Sequence, residues 1–164
     1  MIILGLDPGT ASVGYAILEA GPRLRLCDAG LLAVKSREPG ERLAELHRSL
    51  AALIKKWKPA AAAVEKLFFA ANAKTAMAVS EARGVLLLTA VLAGTTLYEY
   101  NPAAIKKTIT GQGNADKTQM RKMVLLTLPE TRRLRAQDDV FDAIAAALTC
   151  HFRERSKVDQ NLIP

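Results

Sequence analysis

Five acidic residues in this 164-residue chain stand at the end of an apolar run or just before one. Asp7 ends the apolar run "MIILGLD", Glu65 ends "AAAAVE", and Asp138, Asp139 and Asp142 lie in "DDVFDAIAAAL". Asp139 and Asp142 are three apart and Asp138 and Asp142 four apart, so on a helix either pair shares one face. Helix capping accounts for Asp138 and the positive first turn for Asp139. Asp142 is followed by an apolar run and is costly to bury without a positive partner, which a divalent cation would supply. Carboxylates with no accompanying His or Cys cluster select a hard cation, Mg²⁺ or Mn²⁺, over zinc. Two such ions bridged by carboxylates activate water and stabilise the leaving oxygen in phosphodiester cleavage.

The elements that must position these acids follow from pattern. Met1 to Leu6 is a continuous apolar run, Ser12 to Ala20 a second strand after the turn at Pro8 and Gly9, and Arg23 to Val34 a third after Gly21 and Pro22. Three strands in close succession predict an antiparallel meander. Leu43, Leu46, Leu50, Leu53 and Ile54 recur at helical spacing within Glu41 to Trp57, and Pro59 stops that helix. Ala60 to Val64 reads as a fourth strand parallel to the first. A long Ala-rich helix over Asn72 to Leu92, a fifth strand over Thr95 to Tyr100 and a short helix over Pro102 to Ile109 follow. Beyond the loop "GQGNADK" the pattern predicts helices over Lys117 to Leu126 and Asp139 to Phe152. The expected fold is α/β, a mixed five-stranded sheet flanked by helices, in one domain over residues 1–153. A polar tail over residues 154–164 has no apolar period and is expected to be flexible. In such a sheet, acids at the carboxyl ends of neighbouring strands project into one crevice. The competing reading of Asp7 is a turn cap before Pro and Gly.

Charge points to the partner. Of the net +7, a net +6 falls within residues 101–136: eight cations (Lys106, Lys107, Lys117, Arg121, Lys122, Arg132, Arg133, Arg135) against Asp116 and Glu130. Concentrated positive charge with Gly and Asn among the cations suits a polyanion, nucleic acid above all. No segment reaches the roughly 18 apolar residues of a membrane span, and no basic stretch precedes an apolar run at the start, so neither a membrane partner nor a signal peptide is expected. Cys27 and Cys150 in unrelated contexts fit a reducing, cytoplasmic setting.

Four stretches, "GLDPGTASVGYAILE", "AVEKLFFAANAKTAMAVSEARGVLLLTA", "YEYNPAAIKKTITGQGNADKTQM" and "DDVFDAIAAALTC", together resemble the RuvC family of Holliday junction resolvases, in order and over some 150 residues. That resemblance implies a ribonuclease H-like fold, a homodimer, and paired symmetric nicks in a four-way DNA junction made with two Mg²⁺ or Mn²⁺ ions per site. It implies Asp7, Glu65, Asp139 and Asp142 as catalytic and metal-binding acids, favouring Asp139 over Asp138. Phe68 matches an aromatic that meets DNA near the crossover, with Phe69 following it. Lys106 and Lys117 match basic residues important to cleavage, with Lys107 and Arg121 as further phosphate contacts. The long helix from Asn72 is similar to one that pairs across the dimer, and the branch-migration proteins RuvA and RuvB are implied partners.

Three other readings compete. A YqgF-like ribosomal RNA processing nuclease shares the fold and the early Asp, but its typical sequence lacks the "VEKLFF" and "DDVFDA" contexts. Actin-like and Hsp70-like ATPases share a loop like "GLDPGTASVG" but need a second phosphate loop and a second domain. A non-catalytic junction-binding module is opposed by the presence of all four acids.

Overall fold

The structure, a computed structural model, describes residues 1–9, 12–66, 73–134 and 138–160, with the side chains of 73–75 and 155–160 outside that description. Its sheet is built from β1 (Ile2–Pro8), β2 (Val13–Ala20), β3 (Leu24–Leu31), β4 (Ala61–Glu65) and β5 (Thr96–Tyr100), in the order β3-β2-β1-β4-β5. The first three pair antiparallel, and β4 joins β1, and β5 joins β4, in parallel. This is the mixed sheet expected from the sequence. The parallel additions require crossovers, supplied by α1 (Pro39–Trp57) and α2 (Ala73–Leu92). The chain then forms α3 (Pro102–Thr110), α4 (Lys117–Thr127), a 3₁₀ turn (Pro129–Arg133) and α5 (Asp138–Gln160).

Side chains alternate across the strands and divide the core in two. Leu4, Leu6, Ala62 and Val64 face α1 and α2, meeting Leu46, Leu50, Ile54, Leu86 and Ala90. Ile3, Ala61 and Ala63 face the other side, against α3, α4 and the small residues Ala143, Ala146 and Ala147 of α5. By the same alternation Asp7 and Glu65, two residues beyond Gly5 and Ala63, point to the α5 side.

Several boundaries differ from those read in the sequence: β3 ends at Leu31 rather than Val34, and α1 starts at Pro39 rather than Glu41. β1 continues through Asp7 to Pro8, which pairs with Val13, so Pro8 is the last strand residue and the reversal lies after it. A proline is admissible there because at a strand end its missing N–H breaks no ladder. The short turn at Pro129 was not expected; it is too brief to show a period. α5 continues past Phe152 to Gln160, over a stretch with no Gly or Pro to stop it. Among the described residues no helix is long and apolar enough to cross a membrane.

Candidate active site

Register brings the two strand acids together. Leu6 pairs with Val64 in the parallel β1–β4 ladder, so Asp7 and Glu65 are adjacent one step beyond it. Directly opposite Asp7 on β2 is Gly14. A side chain at Gly14 would collide with the backbone of Asp139 and Val140, and one at Gly5 with the Ala143 carbonyl and Ala147. The two glycines therefore let α5 rest on the strand backbone with its first turns beside Asp7. Asp139 is fixed further by Ser12, whose Oγ donates to Asp139 Oδ2 at 2.5 Å. Neither glycine nor Ser12 was singled out in the sequence, although a Gly inside a strand is itself a signal of close approach.

The acids are electrically strained in this arrangement. Burial is the chief cause that pushes Asp7 up to about 8, with Asp142, Glu65 and Asp139 adding to it and Lys117 opposing. Glu65 is pushed up to about 7 by burial and then by Asp142, against Lys106 and Lys117. Asp142 is also raised, mainly by burial, with Lys117 the foremost opposing charge and Asp138 and Asp139 adding to the rise. Among the described residues no hydrogen bond or direct ion pair reaches the carboxylates of Asp7, Glu65 or Asp142. Nor do any three His, Cys, Asp or Glu side chains among them close into a ready-made metal cage. Four carboxylates with no counter-charge among them repel, so sharing a neighbourhood without closing on one point is the expected arrangement.

Asp138 and Asp139 separate clearly. Asp138 is 61% exposed and pairs with Lys117 Nζ at 3.1 Å, while Asp139 is half-buried and turned to Ser12. Lys117 is held at the start of α4 by an Asp116–Gln119 capping box. Its own pKa is raised, first by the Asp138 hydrogen bond. Lys106 is half-buried on α3, whose start is fixed by Asn101 accepting from the Ala104 N–H at 2.7 Å; Lys107 is exposed. Arg121 lies over the Phe141 ring, 4.1 Å from its centroid. Lys117, Thr118, Arg121, Asp138, Phe141 and Asp142 are among the walls of a cleft of about 180 Å³ beside the acids. Phe68 and Phe69 lie outside the described residues.

This geometry suits hydrolysis of a phosphodiester: a carboxylate cluster at one wall, cations at the other. The comparisons with known proteins agree. The family model described as crossover junction endodeoxyribonuclease RuvC matches residues 3–151. A protein of that name from Chloroflexus aggregans is 47% identical over 153 residues, 92% of each chain. Another from Caldicellulosiruptor saccharolyticus is 42% identical over 163 residues, 96% of each. The solved structure of Thermus thermophilus RuvC in complex with Holliday junction substrate superposes with a TM-score of 0.87 at 31% identity, covering 96% of each chain. The chain under study belongs to the RuvC family of crossover junction endodeoxyribonucleases.

Proposed function

We propose that this chain resolves four-way DNA junctions as a homodimer, cutting one strand at each of two sites built from Asp7, Glu65, Asp139 and Asp142. The observation that carries the assignment is the convergence of Asp7, Glu65 and Asp142 on one face of the sheet, all with raised pKa and no direct counter-charge. The RNA-processing and binding-only readings have no such support from the relatives, which carry the name of a junction endonuclease.

The site fits divalent cations by its chemistry. Its donors are carboxylate oxygens, with neither His nor Cys, which suits Mg²⁺ or Mn²⁺. Its half-buried acids favour protons over ionisation unless a positive charge arrives. Two ions per site is the expected number, since Asp7 has acids on both sides, Glu65 on β4 and Asp139 and Asp142 on α5. When bound, such ions acidify the attacking water and take up the charge that develops on the leaving 3′ oxygen. The protein's own part is to hold the four acids in fixed positions, where arriving cations would favour their ionised form. Ser12 orients Asp139, and the glycines set the height of α5 over Asp7. Lys106 and Lys117 provide positive charge at the rim, where the scissile phosphate gains negative charge as it is attacked. Phe68, Phe69, Lys107 and Arg121 are proposed as the DNA contacts around that centre.

The dimer is supported by α2. Met77, Leu88, Val91 and Leu92 are 56–72% exposed, and with Gly84 they fall along one side of the helix. A second copy would cover that stripe, and a two-fold axis would aim two equivalent sites at opposed strands. RuvA and RuvB are proposed partners on the resemblance to the family. The test is a synthetic four-way junction incubated with the chain, with and without Mn²⁺. Paired symmetric nicks only with metal support the reading; cleavage of RNA alone, or binding without nicks, overturns it.

A further inference from the structure

A second cleft, about 320 Å³, opens between α4 and the 3₁₀ turn. Arg121, Lys122 and Arg132 line it, with Thr118 and two leucines, and among the described residues no acid does. It shares Thr118 and Arg121 with the cleft beside the catalytic acids, so the two are continuous along α4. The 3₁₀ turn that presents Arg132 is firmly seated. Thr131 is 1% exposed and donates to the Leu128 carbonyl at 2.6 Å. Glu130, the only acid of the turn, accepts from the Leu26 N–H of β3 at 2.9 Å and is thereby held to the sheet. Lys122 and Arg132 are exposed, and no hydrogen bond or ion pair within the described residues engages either. Three cations on a rigid support, with no neutralising acid among the described residues of the cleft, are prepared for an extended polyanion rather than a small ligand.

We infer that this cleft carries the phosphate backbone of a junction arm as it leaves the cut site, with Arg132 and Lys122 as the contacts; the inference rests on the reading of the acids as the cutting centre. Lys117 and Leu125 are eight helical rises apart, or about 12 Å, which spans about two phosphates along one DNA backbone. The cleft therefore meets the backbone about two nucleotides from the scissile phosphate. Phosphate contacts of this kind set register and orientation and do not read sequence.

The test is equilibrium binding of the full chain to a synthetic four-way junction over a salt series without divalent metal. Arg132→Ala should weaken binding about three- to tenfold near 0.1 M salt and flatten the log–log slope by about 0.9, whereas Arg132→Lys should keep the slope. A single neutral methylphosphonate placed about two nucleotides from the cut should cost the wild type that same factor and cost Arg132→Ala nothing more. An unchanged slope in Arg132→Ala overturns the inference, and so does a methylphosphonate loss that adds fully to the mutation at every position. If the wild type binds junctions but makes no cut when metal is supplied, the reading of the acids fails while the slope comparison still decides the cleft.

Discussion

Gly14 is the cross-strand partner of Asp7, and the space its missing side chain leaves is filled by the backbone of Asp139. One glycine thus sets the distance between the strand acid and the helix acids. Gly14→Ala should force α5 away from the sheet, because the obstacle is backbone and cannot rotate aside. Overpacking of this kind costs about 1–3 kcal/mol, and each kcal/mol lowers the melting temperature of a chain this size by about 2–4 °C. Metal-dependent cleavage should fall by more than the folded fraction does. A variant with wild-type melting temperature and cleavage would mean that α5 does not depend on this contact.

The order of the sheet was legible in the sequence, and the precision of the site was not. Apolar runs, the Gly21 and Pro22 turn and the helical spacing of Leu43 to Ile54 specify strands and helices because each element carries its own period. The places of Asp7 and Glu65 at strand ends follow from those runs. The roles of Gly5, Gly14 and Ser12 depend on what α5 brings from more than a hundred residues away, which no local pattern encodes. Asp138 and Asp139 are equivalent by spacing to Asp142, and only the packing of α5 turns one to Lys117 and the other to Ser12.

That difference separates the two aspartates experimentally. Asp139→Asn should lower cleavage by a hundredfold or more with junction binding retained, on the order expected when a group that stabilises reacting charge is lost. Asp138→Asn removes an exposed pair worth less than about 1 kcal/mol and should keep most of the cutting. Equal losses in both variants, measured under single-turnover conditions, would contradict the geometry.

Ser12 acts through Asp139. Loss of such an orienting hydrogen bond raises the metal requirement of a site by about 10- to 100-fold. Ser12→Ala should therefore shift the Mn²⁺ titration of cleavage to higher concentration, with the rate at saturating Mn²⁺ recovering much of its value. Ser12→Thr, which keeps the hydroxyl, should titrate close to wild type. A uniformly reduced rate with an unchanged Mn²⁺ midpoint would remove Ser12 from this role.

Asp7 and Glu65 make the metal-free protein sensitive to alkali. With folded pKa values near 8 and 7 against unfolded values near 4, the native state holds more protons than the unfolded chain between those limits. Stability of the metal-free chain therefore falls as pH rises from about 4 to about 8 and levels off above that. Asp7→Asn removes the larger of these penalties, so it should melt higher than wild type at pH 8 to 9 and close to it at pH 4. Mn²⁺ should raise the wild-type melting temperature increasingly over pH 6 to 8, as protons cease to compete, and raise that of Asp7→Asn much less. A variant less stable than wild type at pH 9 would show that Asp7 is not an uncompensated charge.

The exposed stripe of α2 links assembly to the pattern of cutting. Leu88 and Val91 lie one turn apart and more than half exposed, so a charge there is well tolerated by a free chain and poorly by a paired one. Leu88→Glu should leave the melting temperature near the wild-type value under conditions where both chains are monomers. Under dimer-forming conditions it should sediment as a single chain while wild type sediments as two. Loss of the partner separates the two cuts in time: nicked junctions should accumulate and resolved duplexes should appear only at high enzyme concentration. Because Asp7 and its neighbours lie on the α5 side of the sheet, opposite the side that α2 packs on, the intrinsic metal requirement should not change. Wild-type sedimentation by Leu88→Glu, or coupled cuts from a confirmed monomer, would place the dimer contact elsewhere.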